Sequence, residues 1–158
     1  YEYLIKKFKL KNFKKFFYEN FFDNNKYIYP SFGLGGPFHN LKGNLNNLNF
    51  KIKKEKYMSV VTYIAFMTNY CLELIKSKDD IIITGPLINN FEILQILAAL
   101  RYKTKIYLYT GQEATSVGCN LINQKNYKLD LKVVRYKKNL KIQQAFKYWL
   151  KTIGYLNN

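Results

Sequence analysis

Apolar residues recur along this chain with two different periods, and the change of period marks out its elements. From Glu55 to Lys76 they fall on two sides of one long helix, Met58, Val61, Ala65, Leu72 and Ile75 on one, Val60, Ile64, Met67, Cys71 and Leu74 on the other. A helix that is apolar on two sides belongs between packed layers. Three isoleucines, Ile81-Ile82-Ile83, then run into Thr84-Gly85-Pro86-Leu87-Ile88-Asn89-Asn90, after which Phe91 to Leu100 is apolar at helical length. The order reads as strand, glycine turn, helix. It repeats at once, with a strand over Lys105 to Tyr109, a turn at Thr110-Gly111-Gln112 and a helix from Glu113 to Cys119. Two such units predict a parallel sheet in which the two strands are neighbours joined by a helix over about 90–101, and ligands of such sheets bind beyond the carboxyl ends of the strands.

The flanks are less regular. Leu4, Ile5 and Phe8, then Phe13, Phe16, Phe17 and Phe21, predict one or two short helices before residue 23. The segment Tyr29 to Phe38 holds three of the eight glycines and two of the three prolines, which predicts a tight, defined excursion of the backbone. A short strand is expected near Leu48 to Ile52. At the other end, Ile142, Ala145, Phe146, Trp149 and Ile153 share one face of a helix over about 140–153, with Lys141, Lys147 and Lys151 away from it, so this helix should lie on the surface.

At 158 residues and 48% hydrophobic content, one domain with a sizeable core is expected. The chain starts at Tyr1 instead of Met, so a fragment or a trimmed amino end is expected. A formal charge of +16 first points to nucleic acid. Only Arg101 and Arg135 among the 26 basic residues are arginine, however, and arginine is the usual reader of phosphate and guanine edges. A solvated basic surface is therefore the expected role of the lysines, with no specific nucleic acid as partner. Cys71 and Cys119 lie among apolar neighbours in predicted helices and are expected as buried free thiols of a reducing cytoplasm. Met58 to Ile75 is interrupted by Ser59, Thr62, Thr68, Asn69 and Glu73, and so reads as a core helix and not a membrane span.

The chemistry on offer is sparse. His39 is the sole histidine and has no companions at the spacing of a triad or a zinc site. Among the ten carboxylates Asp79-Asp80 is the adjacent pair, and it precedes a strand, the wrong end for a ligand, so a solvated turn is expected there. The glycine turns carry more. Gly85 lets backbone approach a ligand, Pro86 stiffens the turn, and Asn89 or Asn90 can cap the next helix while presenting an amide. Thr110-Gly111-Gln112-Glu113 has the spacing of a capping box. There is no lysine-bearing phosphate loop and no complete dinucleotide fingerprint, so spacing alone leaves nucleotide binding and plain structural turns both open.

Taken in order, Tyr1-Glu2-Tyr3, Pro30-Ser31-Phe32 with Gly35-Gly36-Pro37-Phe38, Cys71 to Ile75, Ile81 to Pro86, Asn90, Leu97 to Leu100 and Glu113-Ala114-Thr115-Ser116-Val117-Gly118 resemble the carboxyl-terminal part of FGGY-family carbohydrate kinases, over about residues 1–122. The resemblance implies an α/β fold, a partial ribonuclease-H-like (actin-like ATPase) lobe with a parallel βαβα core and flanking helices, and residues 1–158 as a single carboxyl-terminal, nucleotide-binding lobe. It implies transfer of the ATP γ-phosphoryl group to a hydroxyl of a small sugar or polyol, with ATP and Mg2+ as cofactors. It places Gly85, Pro86, Asn89 and Asn90 at the nucleotide and Gly118 where a helix closes onto the sheet. Thr84 stands where many members have the first of two glycines. The family's catalytic aspartate and first phosphate loops lie upstream of the part matched by Tyr1, so no catalytic residue is assigned here and an amino-terminal lobe is the implied partner. A non-catalytic, kinase-derived interaction domain and a basic nucleic-acid-binding module are the alternatives, and homodimerisation is left open.

Overall fold

A computed structural model describes residues 2–10, 19–30, 37–38, 41, 43, 50, 52–111, 118–119, 129–134, 136 and 138–154. In order they form α1 (Glu2–Lys7), a 3₁₀ turn (Glu19–Asp23), α2 (Lys53–Leu74), β1 (Ile81–Ile83), a second 3₁₀ turn (Gly85–Asn89), α3 (Phe91–Leu100), β2 (Ile106–Tyr109), β3 (Leu131–Val134) and α4 (Leu140–Thr152). The two-sided helix, both strands of the repeated unit, the helix between them and the last helix are all where the periodicity predicts them. His39 and the glycines of the 31–36 segment lie outside the described residues, as do residues 112–117. Phe50 and Ile52 are not in a strand.

β1 and β2 pair in parallel, Ile81 opposite Ile106, Ile82 opposite Tyr107 and Ile83 opposite Leu108. α3 makes the crossover between them. β3 then adds to the far side of β2 in antiparallel register, Tyr109 opposite Leu131 and Ile106 opposite Val134. The two strands are the parallel neighbours expected, and the addition of β3 makes the whole a mixed three-stranded sheet in the order β1-β2-β3. The amino ends of β1 and β2 are fastened by Asp80, whose carboxylate accepts the Lys105 backbone N–H at 2.8 Å, while Ile81 N–H donates to the Lys105 carbonyl at 2.9 Å. Asp79 and Asp80 are both exposed, as a solvated turn requires.

α3 separates two apolar layers. Its Leu97 and Ala98 face the sheet with Ile106, Ile83 and Val134, and its Ile93, Ile96 and Ala99 join the main core with α2 and α4. α2 is buried almost continuously from Glu55 to Tyr70. Trp149 of α4, fully buried, meets the Phe66 ring edge-on at 5.7 Å and the Phe38 ring at 6.1 Å, and its indole N–H donates to the Ile28 carbonyl at 2.8 Å. That bond ties the last helix to the segment before α2, more than a hundred residues away.

α2 ends in a Schellman closure: Ser77 N–H reaches the Leu72 carbonyl at 3.0 Å and Lys76 N–H the Glu73 carbonyl at 2.9 Å, with Lys76 in the left-handed region at φ 53°. Burial stops before that last turn. Cys71 is consequently exposed, as is Cys119, and neither is the buried thiol expected from its apolar neighbours. At 22 residues α2 is roughly 33 Å long, and its final turn carries apolar positions past the layers that cover the rest.

Burial of phenols sets a pH dependence. Desolvation raises the Tyr63 hydroxyl from 10.0 to about 12, and Tyr27 is raised for the same reason, with further contributions from Tyr29 and Asp23. The unfolded chain ionises these groups above pH 10 while the folded chain resists, so the stability they contribute is complete below that pH and is lost as pH rises through the folded value. Tyr63→Phe removes one such group. Its stability relative to the parent chain, read from urea unfolding, is expected to improve steadily from pH 10 to pH 12; a constant difference across that range would show that the phenol ionises freely in the folded chain.

Candidate functional site

Parallel pairing brings the carboxyl ends of β1 and β2 side by side, and both run directly into glycine turns. Thr84 is still extended, at φ −130° and ψ 172°, and Gly85 then swings to φ +70°, a conformation that side chains bearing a Cβ rarely adopt. Pro86, at the start of the 3₁₀ turn, fixes its own φ and has no N–H to satisfy. Gly85, Pro86 and Asn89 are exposed, and a β-carbon placed on Gly85 would meet nothing within 4 Å. The turn therefore offers bare backbone to open space.

Asn90 has a different environment from its neighbour. It is buried, and its Oδ1 accepts the Ile93 N–H at 3.0 Å, capping α3. Its Nδ2 points to the Tyr57 hydroxyl at 3.5 Å, and that hydroxyl donates to Glu92 Oε2 at 3.1 Å. Tyr57 and Glu92 are both buried. The three side chains lock the first turn of α3 onto α2 and so anchor the end of the Gly85–Asn89 turn that leads into it. Glu92 in the first turn also places its carboxylate at the positive end of the α3 dipole. Sequence reasoning found the capping asparagine but not Tyr57 or Glu92; the available signal was a carboxylate two residues after the cap in an otherwise apolar helix.

Asn90→Ala is expected to lower stability by about 1 kcal/mol through loss of the cap. Asn90→Ser, which keeps a capping oxygen, should recover much of that loss in the same urea titration. Equal losses in both variants would instead assign the effect to the Tyr57 contact.

The second turn is tighter. Thr110 and Gly111 are exposed, and a β-carbon on Gly111 would overlap the ring of Tyr109, which folds over the turn. A side chain at Gly111 would have to push the tip of the Tyr109 ring aside, whereas the φ there is not left-handed. Farther on, Gly118 is exposed and a β-carbon there would meet nothing within 4 Å. The expected close packing of helix on sheet at Gly118 is not found among the described residues. A leucine at this position would extend into open space, so the severe overpacking expected from the resemblance does not follow.

Among the described residues no three His, Cys, Asp or Glu side chains gather as a metal site, and no helix is long and apolar enough to cross a membrane.

The sequence profile of the carbohydrate kinase FGGY C-terminal domain matches residues 6–130. The chain belongs to that family. Its fold is similar to that of a carbohydrate kinase from Novosphingobium aromaticivorans, with a TM-score of 0.71 at 18% identity, over 85% of this chain and 30% of that one. The chain thus spans less than a third of the length of that kinase. A search of curated proteins finds no match. As a C-terminal domain of an FGGY carbohydrate kinase, the chain has its two glycine turns side by side at the carboxyl ends of β1 and β2.

Proposed function

We propose that this chain is the nucleotide-facing part of an ATP-dependent carbohydrate kinase, built on an actin-like lobe, and that the Gly85 turn forms one wall of the adenosine site. The observation that carries the reading is the Gly85 turn itself: a left-handed, side-chain-free residue at the carboxyl end of a parallel strand, beside the equivalent turn of its neighbour, with open space in front of it. A flat base and ribose can lie against such backbone without meeting a Cβ. Gly85, Pro86 and Asn89 are the exposed members of the proposed wall, and Asn89 is the exposed amide of the asparagine pair. Asn90 shapes the wall from behind by capping α3.

ATP, when bound, supplies the phosphoryl group that passes to a hydroxyl of a small sugar or polyol. The residues in hand fit the adenosine side of that ligand. Among the described residues no three His, Cys, Asp or Glu side chains gather, so none of them is assigned to Mg2+. Phosphoryl transfer requires phosphate positioning, charge neutralisation and a group to take the hydroxyl proton. We assign these to an amino-terminal lobe that closes over the glycine turns, so that the chain alone is inactive and the assembled enzyme works in the cytoplasm, where ATP is supplied.

The test is reconstitution. The chain joined to its own amino-terminal lobe should consume ATP in the presence of one member of a panel of pentoses, hexoses and polyols, with a sugar phosphate formed in equal amount. Assembly of a stable two-lobe protein that binds no ATP and phosphorylates no member of the panel would exclude the reading in favour of a non-catalytic, kinase-derived domain.

A further inference from the structure

At the opposite end of α3 from the Gly85 turn, the last turns of α2 and α3 and the middle of α4 enclose a cavity of about 460 Å³ that opens to solvent. Ten residues of helix at 1.5 Å each put the two places roughly 15 Å apart. Leu100, Phe146 and Leu150 give the cavity an apolar floor, and Glu73, Lys103 and Lys147 stand at its rim. We propose that this cavity binds a small organic anion, an apolar ring or short chain carrying one carboxylate or phosphate, its body on Leu100 and Phe146 and its charge between Lys103 and Lys147.

The lining decides the ligand class. Sugars need a polar group for each hydroxyl, whereas most of the exposed surface here is carbon, the composition of sites for ligands with an apolar body and a few placed polar groups. Cations collect at the mouth: Lys103 Nζ lies 5.9 Å and Lys138 Nζ 5.2 Å from the centre of the Tyr102 ring, and Tyr102 also lines the cavity. The net charge of +16 draws anions toward any such mouth. Glu73 is held in place by Asn69, whose amide donates to Oε1 at 2.9 Å, and its carboxyl is raised because burial outweighs that hydrogen bond and the Arg101 charge. Glu73, Lys103 and Lys147 are all exposed, so an ion pair formed there should weaken as salt is added. Two lysines against one carboxylate leave room for one negative charge from a ligand.

Trp149 is the sole tryptophan and stacks on Phe146, with centroids 6.1 Å apart and planes at 18°, so its emission reports directly on the cavity floor. Titration of the 158-residue chain with 3-phenylpropionate, excited at a wavelength where that probe is transparent, is expected to give a saturable change in Trp149 emission. 3-Phenylpropanol, which lacks the charge, and acetate, which lacks the ring, should each bind at least about tenfold more weakly. Lys103→Glu and Lys147→Glu should weaken 3-phenylpropionate by a similar factor, while Lys132→Glu, exposed on β3, should not. Each variant is checked for parental circular dichroism first. No saturable response, equal binding of acetate or of the alcohol, or full affinity in Lys147→Glu would each overturn the assignment. No nucleotide enters this experiment, so its result is independent of the kinase reading.

Discussion

Gly85→Val in the assembled kinase is expected to raise the apparent KM for ATP by about tenfold or more while leaving that for the sugar within about twofold, because the lost interaction is confined to one substrate. Two physical effects combine. At φ +70° a β-branched residue is strained by roughly 1–2 kcal/mol, since its Cβ crowds the neighbouring carbonyl. Its methyl groups then occupy the open space in front of the turn, where no protein atom lies within 4 Å of a β-carbon. The protein can therefore accept the side chain, and the nucleotide cannot. Gly85→Ala separates the two effects, because it carries the backbone strain with little of the bulk, and should show a smaller rise. If KM changes equally for both substrates, the variant reports a loosened fold. If ATP use is unimpaired, Gly85 is not in the site.

The largest effect on stability should come from Trp149→Ala, which is expected to cost about 3–5 kcal/mol. The indole is fully buried, packs against Phe38, Phe66 and Phe146 from three directions, and holds the Ile28 carbonyl. Truncation leaves a large void and an unpartnered buried acceptor together. Trp149→Phe fills most of the void but still orphans the carbonyl, and should cost about 1–3 kcal/mol. Urea unfolding measures both. An alanine variant within about 1 kcal/mol of the parent would mean that α4 is not docked through this residue.

The elements that were legible in the sequence are those whose pattern is local. Ile81 to Ile83 and Ile106 to Tyr109 are short β-branched and aromatic runs closed by glycine turns, and α3 and α4 each begin at an asparagine whose side chain caps the first turn. β3 was not read at all. Leu131-Lys132-Val133-Val134 is four residues long and flanked by Asp130 and Arg135, and it is a strand because Leu131 and Val134 meet Tyr109 and Ile106, a non-local choice that no window of sequence contains. Cys71 was placed inside because it falls on an apolar stripe, yet the stripe continues one turn past the packing. The site divides in the same way. Gly85 could be singled out because only glycine suits the turn that follows a strand so abruptly, whereas the commitment of Asn90 to Ile93 and Tyr57 depends on how α2 lies against α3. The cavity beyond Leu100 is likewise made by three helices, and none of them carries it alone.

Hydrogen–deuterium exchange of the assembled kinase, with and without a non-hydrolysable ATP analogue, tests the central claim most directly. The Gly85–Asn89 turn is exposed or half-buried throughout, so its amides should exchange rapidly in the free protein. On saturation with the analogue, peptides covering Thr84 to Asn89 are expected to slow markedly, while those from the last turn of α2 keep their rate. Saturating binding with no change in the Thr84–Asn89 peptides would contradict the account and place the nucleotide elsewhere.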